Sequence, residues 1–96
     1  MDDRTSPAAR AKRLQKLRQT FGPTQAAFCQ RYGFTLTRWN NFERSNPLSI
    51  AAAQQLIEQI PGLSLGWLYS GDIGDLTIGM ARLLDELPPP STNSNL

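Results

Sequence analysis

Residues 23 to 45, PTQAAFCQRYGFTLTRWNNFERS, leave this chain few ways to fold. Thr24 is an N-cap residue whose hydroxyl can accept from first-turn N–H groups of a helix. Behind it Phe28, Cys29 and Tyr32 fall at i, i+1 and i+4, on one helical face. Gly33 follows, and glycine takes the left-handed conformation of a helix C′ position without steric cost. Phe34 is apolar, and Thr35, two residues after the glycine, can cap a second helix. The spacing predicts two short helices joined by a turn of about three to four residues.

Placed at about 100° per residue, the second helix sorts its side chains cleanly. Trp39 and Phe42 share one side and must be buried, while Thr37, Asn40, Asn41 and Arg44 gather on the other. Leu36 stands at the leading end and Arg38 on the border. A merely solvated helix face carries Lys and Glu more often than two Asn, two Arg and a Thr. Asn pairs bidentately with adenine, Arg with guanine, and Thr or Leu touches a thymine methyl. The outer face has the chemistry of a major-groove reader, and the turn between the helices has helix-turn-helix length.

From about Arg10 to Asp72 the chain resembles the Cro and phage-repressor type of helix-turn-helix domain, also called Xre-like. The resemblance rests on Thr24-Gln25 opening the second helix, small Cys29 at the close helix crossing and Gly33 in the turn. It continues with Thr35 as cap, Trp39 and Phe42-Glu43 at the buried and Trp-Glu positions, and Pro47 before a fourth helix. The run GLSLGWLYSGD is similar to the end of this domain in short bacterial and prophage regulators. Trp39 stands where Val or Ile is usual, Phe42 for Trp, Ser45 for Gly, and Gly66 for an acid, which implies a repacked core behind the reading helix.

The resemblance implies an all-α fold, a compact five-helix lambda-repressor-like domain, here with an extra C-terminal helix. It implies double-stranded DNA as partner, with Leu36, Thr37, Arg38, Asn40 and Asn41 reading bases. Arg10, Arg13 and Lys16 of the first helix would approach the DNA backbone, together with Thr24, Gln25 and Arg44. Asn46 and Ser49, in the loop after the reading helix, would bind phosphate through backbone N–H groups. At the position of Gln25 the family uses a Gln to bond a phosphate and brace the reading helix.

Charge supports such a partner. From Arg4 to Arg44 there are nine basic residues and one acid, Glu43. From Ser45 onward one basic residue, Arg82, stands against Glu58, Asp72, Asp75, Asp85 and Glu86. A split of this kind marks one half that meets a polyanion and one that does not. Ninety-six residues suffice for a single modest core. No stretch approaches the ~18 consecutive apolar residues of a membrane span, and MDDRTSPAAR has no apolar signal-peptide core. A lone cysteine forms no internal disulfide, fitting a reducing cytoplasm, and Cys29 reads as a small buried hydrophobe. Without histidine or a second cysteine, a zinc site and Ser–His or Cys–His catalysis are excluded. Neither enzyme activity nor a cofactor is expected.

Along the chain, residues 1–6 are expected to be disordered. Ser6-Pro7 then starts a helix running to about Thr20, with Ala11, Leu14, Leu17 and Phe21 buried. The helix-turn-helix domain spans 7–72. Its fourth helix starts at Leu48 or Ser49 and reaches about Gln59, with a stripe of Ile50, Ala53, Leu56, Ile57 and Ile60. Ser64 caps a short fifth helix closed by Gly71, with Trp67 and Leu68 plugging the core. Thr77 caps a sixth over 78–87, stopped by Pro88-Pro89-Pro90, and a disordered tail follows over 88–96. Ile78, Met80, Leu83, Leu84 and Leu87 make this last helix strongly apolar. They either cover the protomer's own core or pair with a second copy, and the homodimer is favoured.

The leading expectation is a sequence-specific transcriptional regulator, a repressor covering a palindromic operator. An antitoxin would instead hold a toxin partner with the sixth helix or tail. A protein-interaction module that has lost DNA binding would show no salt-dependent affinity for duplexes.

Overall fold

The computed structural model describes residues 3–88, and Met1, Asp2 and the segment 89–96, with the ends expected to be disordered there, lie outside them. Six helices and no strand make up the described residues: α1 (Pro7–Phe21), α2 (Gln25–Tyr32), α3 (Leu36–Glu43), α4 (Ile50–Gln59), α5 (Leu65–Ser70) and α6 (Ile78–Leu83). None is long and apolar enough to cross a membrane.

Every helix begins at a Ser or Thr whose hydroxyl accepts a first-turn N–H. The caps are Ser6, Thr24, Thr35, Ser49, Ser64 and Thr77. Each such cap is worth about 1 kcal/mol, so the boundaries are fixed by local chemistry. Ahead of α1, Asp3 to Ser6 form a turn closed by the Ser6 N–H on the Asp3 carbonyl at 3.0 Å, where disorder was expected. Gly33 ends α2 at φ 83°, and its N–H and that of Phe34 both return to the Cys29 carbonyl. A side chain there would be strained and would also meet Gln55 Nε2 at 2.9 Å.

The core holds Leu14 and Leu17 of α1, Phe28 of α2, Trp39 of α3, Leu56 of α4 and Trp67 and Leu68 of α5, all fully buried. Phe28 and Trp39 rings lie 4.6 Å apart, with Phe34 and Phe42 on the other sides of the indole. Trp39 therefore anchors α3 from behind, on the side opposite Thr37 and Asn41. Cys29 is buried among them, and burial pushes its thiol pKa up.

Two elements depart from the sequence reading. Ile50 is exposed rather than part of the α4 stripe. Ser49 is the cap, so Leu48, just before it, takes the buried place, and Ala52, Ala53, Leu56 and Ile60 complete the inner face. The sixth helix stops at Leu83, not residue 87. Asp85 turns left-handed at φ 59°, and the N–H groups of Glu86 and Leu87 come back to the Ala81 carbonyl. That reversal brings Glu86 under Trp67, whose indole N–H donates to its carboxylate, and lays Leu87 against the core.

Candidate nucleic-acid interface

The interface begins with how α3 is held. Glu43, its last residue, is buried and accepts both guanidinium N–H groups of Arg18 at 3.1 Å. The Trp39 indole N–H also donates to that carboxylate. Burial opposes its charge most strongly of any single effect. Hydrogen bonding, led by that from Arg18, and the Arg18 charge together outweigh burial and hold its pKa below the ordinary glutamate value. The same contact raises the Arg18 pKa.

Further donors from α1 serve the carbonyl end of α3. Gln15 Nε2 donates to the Glu43 carbonyl at 3.1 Å, and Arg10 reaches the Ser45 and Asn46 carbonyls at 3.5 Å each. Arg13 does the equivalent for α5, donating through two nitrogens to the Leu68 carbonyl at 3.2 and 3.4 Å. The last four carbonyls of a helix have no partner within it, and cations suit that end of its dipole. Gln15 and Arg13 of α1 thus act as C-terminal caps on α3 and α5, and Arg10 serves the loop after α3.

Three residues expected at the DNA backbone have partners within the protein. Arg13 is buried, and burial lowers its guanidinium pKa, with Glu86 partly offsetting the effect. A group so placed is a structural cap. Lys16 pairs with Asp85 in the turn after α6. Arg10 is half-buried and turned to the loop after α3. In each case the destination is a carbonyl or carboxylate far along the chain.

The outer face of α3 contrasts with this. Leu36, Thr37, Asn41 and Arg44 are exposed, and the side chains of Thr37, Asn41 and Arg44 make no hydrogen bond among the described residues. Asn40 is half-buried and accepts from Gln25 Nε2 at 3.4 Å. Arg38 is exposed but engaged. It donates to Ser49 Oγ at 3.1 Å and lies over the rings of Phe34 and Phe42, 5.9 and 5.6 Å from their centroids. It therefore ties α3 to the start of α4, where Ser49 Oγ also accepts the Ala52 N–H.

Beside this face lie the caps and the loop. Thr24 is exposed, its hydroxyl accepting the Ala27 N–H at 3.1 Å. Asn46 is exposed, its N–H donating to the Asn41 carbonyl. Ser45, just before it, is left-handed at φ 76°. Between residues 23 and 46 the only acid is Glu43, and Arg18 neutralises it, so no negative charge faces outward here.

Sequence reasoning missed the supporting set: Arg18, Gln15, and the two glutamines of α4. Gln55 donates to the Tyr32 and Gly33 carbonyls at 2.7 and 3.1 Å, and Gln59 to the Tyr32 carbonyl at 2.8 Å. They clamp the turn between α2 and α3. Their only advance signal was position on the exposed side of a predicted helix.

The five apolar residues assigned to dimerisation divide. Met80 and Leu84 are buried in the protomer's own core, and Leu87 packs against it. Ile78 and Leu83 are exposed, at 62% and 56%. Comparison of the chain with protein-family models, with curated proteins and with solved structures found no match in any of the three.

Proposed function

We propose that this chain is a sequence-specific double-stranded DNA-binding transcriptional regulator of helix-turn-helix type, with α2 and α3 as the motif and α3 entering the major groove. One observation carries the reading. The outer face of α3 presents Leu36, Thr37, Asn40, Asn41 and Arg44 with no exposed acid, on a helix fixed from behind by Trp39 and Glu43. Thr24, Gln25, Arg44 and Asn46 flank that face as phosphate contacts, which set register while the readers supply specificity. Arg38 borders the same face, with guanidinium donors to spare beyond its bond to Ser49.

In this reading the protein represses by covering a promoter, as a homodimer on two half-sites about 34 Å apart. Ile78 and Leu83 are the apolar surface left for the dimer contact, since Met80, Leu84 and Leu87 already serve the core. Ending the chain at Gly74 would remove those core residues too, so Ile78→Asp with Leu83→Asp is the cleaner test. Light scattering should show the dimer in the parent chain and the monomer in the double variant.

Selection of bound sites from a random duplex pool tests the central claim. It should return a palindrome, with affinity falling steeply as salt rises. The internal engagement of Arg10, Arg13 and Lys16 favours a second reading, a protein-interaction module without DNA affinity. Failure to enrich any duplex at low salt would select it.

A further inference from the structure

We infer that α6 pairs with α6 of a second copy in antiparallel register, about a two-fold axis between Met80 and Ala81, each Gly79 receiving the other copy's Arg82. The inference rests on the homodimer proposed above and names the contact that forms it.

Helix α6 divides into two sides. Met80 and Ala81, with the cap residue Leu84, are buried in the protomer's own core. Ile78, Gly79, Arg82 and Leu83 are all exposed. At about 100° per residue these four fill one arc of about 140°, with Gly79 and Arg82 in the middle and Ile78 and Leu83 at its edges. Nothing in the protomer explains Gly79. It lies inside the helix without a positive φ, and no atom comes within 4 Å of the point a Cβ would occupy. Glycine is a poor helix former, so here it weakens a short helix and serves no contact within one copy. What it does provide is room for another chain to come close.

The arc is complementary to itself. Across a two-fold axis residue i meets j and j meets i. In antiparallel register Ile78 meets Leu83 and Gly79 meets Arg82, and both pairs are centred between Met80 and Ala81. The Arg82 stem then covers the bare backbone at Gly79, with its charged head kept in water. That head is directed to the loop entering the other copy's α6, where Asp75 is exposed. Neither Arg82 nor Asp75 has a side-chain hydrogen bond or ion pair among the described residues. Parallel pairing would instead set Arg82 against Arg82, and like charges in juxtaposition disfavour a contact.

Sedimentation equilibrium on the full-length chain over a wide concentration range, with thermal melts alongside, tests this. Gly79→Leu fills the slot, and the dimer dissociation constant should rise about tenfold or more. Its melt at low concentration should hold or rise, because the site is open and leucine favours helix. Arg82→Glu and Asp75→Lys should each weaken the dimer about tenfold, through two exposed pairs per dimer. The chain carrying both reversals should return to within about threefold of the parent, since opposite charges meet again. A dimer unweakened in Gly79→Leu, or a double reversal no tighter than the single ones, would overturn the inference while leaving the homodimer standing. A parent chain monomeric at every concentration would overturn both and assign the α6 face to a different protein. DNA binding is decided separately, by site selection.

Discussion

Two polar surfaces on neighbouring helices end differently in this molecule. Helix α1 carries the densest run of positive charge in the chain, yet Arg10, Arg13, Lys16 and Arg18 all reach carbonyls or carboxylates of the same protein. The outer face of α3 has fewer charges, and the side chains of Thr37, Asn41 and Arg44 make no hydrogen bond among the described residues. Formal charge therefore misleads about available charge. A long cationic side chain near the carbonyl end of another helix finds partners there, and a polar face opposite a buried tryptophan does not.

The contrast breaks most severely at Glu43. Glu43→Gln should destabilise the fold by about 3–5 kcal/mol, because the largely buried Arg18 loses its counter-ion. Its pH dependence has a definite sign. The folded pKa lies below that of the unfolded chain, so the contribution is complete above the ordinary glutamate range and is lost as pH falls through the folded value. Thermal melts should hold steady from neutrality down to about pH 5 and then drop, and the drop should be shallower in Glu43→Gln. An unaltered acid limb would place the sensitive carboxylate elsewhere.

Next in size is Arg13→Met. Losing two charged donors on the Leu68 carbonyl should cost roughly 1.5–3 kcal/mol of stability. The salt dependence of DNA binding should stay as it was. A normal melt with a salt slope shallower by about one unit would return Arg13 to the phosphates. Asn41→Ala reverses the pattern. Its melting should match the parent, while binding to the selected site falls by about 1–3 kcal/mol and binding to random duplex hardly changes. A lower melting point would mean that α3 uses Asn41 structurally. Lys16→Ala is the smallest test, since its pair with Asp85 is exposed, and denaturant titration should register a change within about 1 kcal/mol.

What was legible in the sequence was what is decided locally. The caps at Ser6, Thr24, Thr35, Ser64 and Thr77 and the left-handed Gly33 depend on residues within a few positions of one another. The burial of Trp39 and Phe42 follows from helical periodicity. What was not legible depends on distant partners. Arg13 and Leu68 are 55 residues apart, and Arg18 and Glu43 are 25 apart, so no window of sequence joins them. The true end of α6 escaped because Asp85 adopts a conformation more often taken by glycine, and an apolar run through Leu87 reads as continued helix. The outer face of α3 was legible by periodicity, but the hydrogen bond from Gln25 to Asn40 joins residues of two different helices.

The two tryptophans give the molecule a built-in optical pair. Trp39 and Trp67 are both fully buried, and each indole N–H is held by a carboxylate of its own, Glu43 or Glu86. One emitter belongs to the layer behind α3 and the other to the layer closed by the turn after α6. Replacing either with phenylalanine leaves a chain whose emission reports on a single layer. The two records would superimpose if the domain opens as one cooperative unit, and would separate if the closing turn lets go before the α3 layer.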